Sequence, residues 1–325
     1  MGSSTRQRAF WMLYGMFFFA AALAVYCNYV FIYHTNNVTG TAFVEASARM
    51  QAETLAGTRT FPYQWRILGS YLVHWGALAT GLGIHTVDPI LKTFFLFLST
   101  LPLFHYARTQ VRDMAAAGIV FLYLLLVVVG LAEEYSIYNL NDIILWAGWH
   151  ACVLAAFHRR YYLVAAAVLV VTLAREVTVL ACLLVGLEFL RTRKGLVPTM
   201  VVGFSFLVPW GFVHWLYPAP ASELAWWHNF HSNVPILHPD VEHIYKAVRK
   251  AFKVAVFFNV AWVLGIRGLL RSKNPFMLEL FLVLCFYVLV LYVTVDVREL
   301  RQFVPLAIVL LPPAFKELEA RLEPG

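Results

Sequence analysis

Ten runs of apolar residues follow one another along this chain, at 9–33, 89–107, 114–131, 143–157, 161–174, 177–190, 196–217, 252–270, 276–295 and 302–315. Short charged or aromatic connectors separate them. A hydrocarbon core ~30 Å thick takes about 20 helical residues at ~1.5 Å each, so most of these runs have the length of a membrane crossing or approach it. Composition agrees: the chain is 61% apolar and 13% charged, where a soluble chain holds ~45–50% and ~25%. That excludes an ordinary water-soluble enzyme and leaves no room for a large soluble domain. The expected fold class is an all-α polytopic membrane protein of about ten transmembrane helices. It forms a single transmembrane domain over 1–325, including outer loops at 34–64 and 218–251.

An eleventh segment, 65–84, is apolar but contains Arg66, His74 and four glycines, and hydropathy alone does not decide whether it crosses. Parity does. If 65–84 stays on one side, the basic connectors all fall on the same face: Arg6 and Arg8, Arg108 and Arg112, Arg159 and Arg160, Arg191 to Lys194, Arg267 to Lys273, and Lys316 with Arg321. Basic short connectors mark the cytoplasmic face, so 65–84 is expected to be a re-entrant or interfacial helix on the outer side, with both termini cytoplasmic. The same test divides 161–190 into two short helices meeting at Arg175-Glu176. A single helix would place both charges at mid-bilayer, at roughly 2.5–3.5 kcal/mol each. The run 9–33 is longer than a signal peptide's and lacks a small-residue cleavage site, so it reads as a retained first span.

This topology gathers polar chemistry on the outer face. Eleven of the 18 acidic residues fall in outer segments, among them Glu45, Glu53, Glu133, Glu134, Asp142, Glu176, Asp296 and Glu299. Insertion alone produces part of that asymmetry. It does not produce acid beside base at helix ends, as in Arg175-Glu176 and in Asp296, Arg298, Glu299 and Arg301, where charges flanked by apolar helices are usually paired and functional. The net charge of +7 sits at helix ends, and no soluble basic face is available for a nucleic-acid partner.

The loop 218–251 holds His228, His231, His238 and His243 near Asp240 and Glu242. Two imidazoles three residues apart suit one helical face of a metal site. Yet no HExxH occurs, and Pro235 and Pro239 break the segment, so headgroup-level histidines beside Trp226 and Trp227 are the stronger reading. No cofactor is fixed by the sequence, and a divalent metal stays open. Lys246, Arg249, Lys250 and Lys253 recur at helical spacing, for lipid headgroups or for the phosphate of a substrate. Cys27, Cys152, Cys182 and Cys285 stand singly inside apolar runs and read as inert core thiols.

Four segments together resemble the GT-C superfamily of polytopic glycosyltransferases, which use polyprenyl-phosphate-linked sugars, and most closely the small bacterial membrane proteins related to it. They are FVEASARMQAETLAGTRTFPYQWRILGSYL (43–72), EEYSIYNLNDIILWAGW (133–149), RRYYLVAAAVLVVTLAREVTVLACLL (159–184) and VRELRQFVPLAIVLLP (297–312). They cover roughly a third of the chain, in the family's order. The resemblance implies a GT-C-like bundle in a bacterial inner membrane and a set of roles. Glu45 would be the general base, with Glu53 as its substitute. Asp142 and Glu134 would bind acceptor or metal, Asp142 within the catalytic set. Arg175 and Glu176 would line the cavity, Arg66 would anchor loop geometry or phosphate, and Arg298 and Arg301 would contact phosphate; Arg249 of the basic stretch and Glu299 of the acid–base cluster complete the candidate binding set. The family commonly shows Asp where this chain has Glu45 between Val44 and Ala46. Inverting sugar transfer needs a carboxylate to take the acceptor proton and cations for the departing phosphate, and the planar guanidinium suits the second task.

The implied partners are a polyprenyl-phosphate sugar donor, membrane lipid and envelope-assembly proteins. The alternative is a non-enzymatic carrier or assembly-complex subunit that binds lipid or a lipid-linked saccharide in the same cavity. A transporter is disfavoured because the chain shows no internal repeat.

Overall fold

The structure is a computed structural model. It describes residues 3–35, 40–56, 66–132, 139–217, 245, 248, 252–253, 255–294 and 300–322. Among these residues regular structure is entirely helical: α1 (Ser3–Thr35), α2 (Gly40–Leu55), α3 (Ile67–Thr80), α4 (Ile84–Ala107), α5 (Asp113–Ala132), α6 (Asn139–Phe157), α7 (Tyr161–Val171), α8 (Val179–Thr192), α9 (Leu196–Leu216), α10 (Val260–Arg271), α11 (Pro275–Thr294) and α12 (Ala307–Leu322). Short 3-10 turns at Glu176–Thr178 and Leu300–Leu306 precede α8 and α12. Helices are what a bilayer allows, because each satisfies its backbone N–H and C=O groups within itself.

Five helices, α1, α4, α5, α6 and α9, are long and apolar enough to cross a membrane, and α7 and Pro275–Leu291 of α11 are shorter apolar helices. Burial separates centre from periphery. In the most apolar stretch of α6, 67% of residues are buried, whereas α1 buries 22% and α9 17%. The outward faces carry Trp11, Phe19, Phe204, Leu207 and Trp215, each about half exposed or more. A soluble monomer rarely tolerates so large an apolar surface; lipid does.

Helices α4 and α6 run parallel. The His150 ring Nδ1 lies 2.8 Å from the Ser99 carbonyl oxygen, and farther along Tyr106 meets Phe157 edge-on at 5.5 Å. Their N-termini therefore share one end of the bundle. Helix α3 begins at that end, where the Asn141 amide donates to the Arg66 carbonyl at 3.0 Å. It ends at Gly81, whose φ of 70° is the left-handed cap that favours glycine, and passes straight into α4. Both ends of α3 thus lie at the same end of the bundle. The division of 161–190 is likewise present: α7 stops at Val171, Arg175 is extended (φ −159°), and α8 starts at Val179.

Other expectations are corrected. The segment 34–64, expected as an outer loop, contains a helix, α2, which carries Glu45 on its own surface rather than ahead of a helix. The run 252–270 is interrupted at Asn259, where φ is 45°. The run 302–315 is not one regular helix: Leu300–Leu306 is a 3-10 segment containing Pro305, and every residue from 300 to 314 is buried inside the bundle. Proline cannot donate its backbone hydrogen bond and crowds the preceding turn, so Pro305, Pro312 and Pro313 are tolerated where neighbouring helices surround the irregular backbone. Of the cysteines, Cys152 is buried, Cys27 and Cys182 are half-buried and Cys285 is exposed, so the last is no core thiol.

Ion pairs lie in layers at the two ends of the bundle. At the end where α4 and α6 finish stand Arg108–Asp113 (2.7 Å), Arg159–Glu188 (3.3 Å), Arg191–Glu279 (2.7 Å) and Arg267–Glu317 (2.8 Å). At the end where they begin stands the cluster described next. From Asp142 to Phe157, α6 covers ~23 Å at ~1.5 Å per residue, a separation that fits within a ~30 Å hydrocarbon core.

Candidate functional site: a buried arginine and carboxylate cluster

Three chain segments meet at the opening of α6. Asn141 organises the first contact: its Oδ1 accepts from the Gly69 N–H at 2.9 Å while its Nδ2 donates to the Arg66 carbonyl. A Cβ on Gly69 would lie 2.8 Å from that same Oδ1, so glycine is required for the approach. The Leu68 N–H donates to the Leu173 carbonyl at 3.1 Å, which ties α3 to the turn between α7 and α8. That turn is held by hydroxyls: Thr172 and Thr178 lie 2.8 Å apart, and Thr178 Oγ1 donates to the Arg175 carbonyl at 3.0 Å. Because Arg175 is extended, its side chain leaves the helical path and points into the bundle, where it is 3% exposed.

There it meets Asp142, in the first turn of α6. Arg175 Nε lies 2.6 Å from Asp142 Oδ1, and Arg301 Nε lies 3.5 Å from Oδ2. Arg175 Nη1 also donates to Gln302 Oε1 at 2.5 Å, and the Tyr287 hydroxyl donates to the Gln302 carbonyl at 2.6 Å. Asp142, Arg175 and Arg301 are sealed, each side chain no more than 4% exposed. A second pair, Arg66 Nη2 with Glu176 Oε1 at 3.6 Å, covers them, and Glu176 is the accessible member with its side chain 40% exposed.

Burial and the neighbouring Arg175 charge push the Arg66 guanidinium below its ordinary value, against the pull of Glu176 and Asp142. Burial opposes ionisation of Glu176 as well, yet Arg66 and Arg175 outweigh it and hold that carboxyl below its usual range. Charged groups placed so deeply need partners, and this set supplies them. Among the described residues it brings together the guanidiniums of Arg66, Arg175 and Arg301 and the carboxylates of Asp142 and Glu176. Asp142 has both oxygens facing guanidiniums, which makes it a fixed anion that orients Arg175 and Arg301.

The sequence-derived candidates divide accordingly. Arg66, Asp142, Arg175, Glu176 and Arg301 are brought together. Glu45 is exposed on α2 and Glu53 is half-buried two turns later; α2 packs on α3 and α4, with Gln51 donating to the Ser70 carbonyl at 3.2 Å. Glu134, Arg249, Arg298 and Glu299 lie outside the described residues, as do His228, His231, His238 and His243. No group of three His, Cys, Asp or Glu side chains able to hold a metal occurs among the described residues. Asn141, Gln302 and Tyr287 were not singled out by sequence, although Asn141 immediately precedes Asp142 and Gln302 follows Arg301.

Beside the cluster opens an apolar groove of about 790 Å³ between α3, α4, α6 and α7. Leu68, Ile144 and Val171 line it at this end, the first two each two positions along the chain from a cluster residue. At the far end it is lined by His105, His158 and Arg160. Comparison with known proteins adds no relative: no protein-family model, no curated protein and no solved structure matches this chain.

Proposed function

We propose that this is a multi-pass membrane glycosyltransferase of GT-C type that holds the phosphate of a polyprenyl-linked sugar at the cluster of Arg66, Arg175 and Arg301. The observation that carries the reading is the convergence of three largely buried guanidiniums, those of Arg66, Arg175 and Arg301, at one end of an apolar bundle. Arginine forks bind phosphate oxygens in pairs, and low-dielectric surroundings strengthen that attraction. The apolar groove starting at Leu68 and Ile144 offers the prenyl chain a path beside its phosphate. In the proposed ten-crossing topology α7, α8, α10, α11 and α12 join the five long helices, and the basic connectors place the cluster on the non-cytoplasmic side.

In the reaction an acceptor hydroxyl oxygen bonds to the anomeric carbon. The bond from that carbon to the phosphate oxygen breaks, and its electron pair leaves with the polyprenyl phosphate. The acceptor proton passes to a carboxylate, for which Glu45 and Glu53 are the candidates on α2. The cations stabilise the departing phosphate. Purified protein given a radiolabelled polyprenyl-phosphate sugar tests this directly: transfer should require Arg301, and Glu45→Gln with Glu53→Gln should abolish turnover while donor binding persists.

A second reading, binding without transfer, is favoured by one feature. Asp142 is engaged by two arginines and Glu176 by Arg66, while Glu45 is exposed on α2 outside the cluster, so each described carboxylate in the cluster is already paired with a guanidinium. Donor binding with no transfer in the same assay selects that reading, as a carrier or assembly subunit.

A further inference from the structure

At the other end of the groove the chemistry changes. Helix α6 presents Ala147, Gly148, Ala151 and Ala155 to the cavity, and their small side chains leave the space that Phe95, Leu98 and Leu101 of α4 border from the opposite wall. From Ile144 to His158 the groove runs ~20 Å at ~1.5 Å per residue, longer than the ~15 Å depth of one leaflet in a ~30 Å core. Its mouth at this end carries the Arg160 guanidinium beside the imidazoles of His105 and His158, all exposed, and no carboxylate lines it.

The local backbone sorts the arginines. Arg159 has a φ of 58° and reaches Glu188 at 3.3 Å. Arg160, at the start of α7, faces the groove and has no ion-pair partner among the described residues. Arg108, the next cation along, is occupied by Asp113 at 2.7 Å and by the faces of Phe10 and Phe104. His105 lies 3.2 Å from the Tyr14 hydroxyl.

We infer that this mouth binds an anionic glycerophospholipid from the leaflet at the Arg160 end, its phosphate on Arg160 and one acyl chain in the groove. The headgroup site lies at the opposite end of the groove from the arginine cluster and does not depend on sugar transfer; the acyl chain takes the groove in place of a prenyl chain, so the two occupants exclude one another. Charge complementarity selects the occupant: an apolar channel ending in an arginine with no ion-pair partner among the described residues, and lined by no carboxylate, offers a zwitterionic headgroup nothing for its ammonium, whereas an anionic headgroup finds the Arg160 guanidinium and two imidazoles able to donate hydrogen bonds.

The test uses full-length protein equilibrated with equal amounts of phosphatidylglycerol and phosphatidylcholine in detergent, with retained lipid counted by native mass spectrometry. Phosphatidylglycerol should be retained over phosphatidylcholine. Arg160→Ala should reduce its retention about fivefold, the worth of one basic residue beside an anionic lipid, and Arg160→Lys should restore most of it. Ala151→Phe, or Ala147→Leu if the former does not fold, should release the lipid by filling the groove while leaving Arg160 in place. Millimolar inorganic phosphate should not compete. Equal retention of the two lipids, unchanged retention in Arg160→Ala, or displacement by free phosphate would each overturn the inference.

Discussion

At Asp142 one carboxylate faces two guanidiniums, and the value of each partner depends on the others. Replacing Asp142 by Asn leaves Arg175 and Arg301 turned toward a neutral amide, and breaking a buried pair in this way costs about 3–5 kcal/mol. The unfolding midpoint in a titration with dodecyl sulfate should fall accordingly. Adding Arg175→Gln to Asp142→Asn should cost less than Arg175→Gln does alone, because the anion that held the guanidinium is gone. Additive losses would show that the three side chains are not one unit. Glu176 behaves differently because it reaches solvent. Its carboxyl is held below the unfolded value of ~4.3, so its contribution is present above that pH and is lost as pH falls through the lower folded value. Between pH 6 and pH 3, Glu176→Gln should therefore show a shallower loss of stability than the parent protein. The charged members of this site were legible because each ionisable residue inside an apolar sequence demands a partner. Asn141, Gln302 and Tyr287 were not: a neutral polar side chain in an apolar run carries no comparable cost and so no signal.

Among the elements, α10 and α12 depend on close approach. A Cβ on Gly265 would meet the Leu310 carbonyl oxygen at 2.7 Å, and one on Gly268 would meet that of Pro313 at 2.6 Å. Backbone cannot swing aside as a side chain can, and small residues at such crossings allow helices to approach within a membrane. Gly268→Val should cost about 1–3 kcal/mol through overpacking, read by thermal unfolding in detergent, while Gly186→Ala, whose Cβ would meet nothing within 4 Å, should leave stability unchanged. Hydropathy located α1, α4, α5, α6 and α9 because their lengths match the bilayer. It did not distinguish 302–315 from the peripheral helices for a physical reason: burial against lipid and burial against protein draw on the same apolar residues, and only Pro305, Pro312 and Pro313 hint that this backbone is irregular. Counting basic connectors, rather than apolarity, was what placed 65–84 on one side, and α3 returns to the end where it began.

For the whole molecule, two charged layers separated by an apolar middle fit a bilayer, and the basic connectors predict which way up it sits. Thr80, at the exposed end of α3, and Lys273, between α10 and α11, lie at opposite ends of the bundle. In intact cells Thr80→Cys should react with a membrane-impermeant maleimide and Lys273→Cys only after permeabilisation; the reverse pattern would invert the orientation. The central claim is that the arginine cluster holds a lipid-linked phosphate, and photo-crosslinking with a polyprenyl phosphate carrying a diazirine near its phosphate tests it most directly. Crosslinks should map to residues 66–72 and 300–306, be competed by unlabelled polyprenyl phosphate, and be lost in Arg175→Gln with Arg301→Gln protein that still folds. Crosslinks confined to the Arg160 end, or unchanged in that double variant, would contradict it.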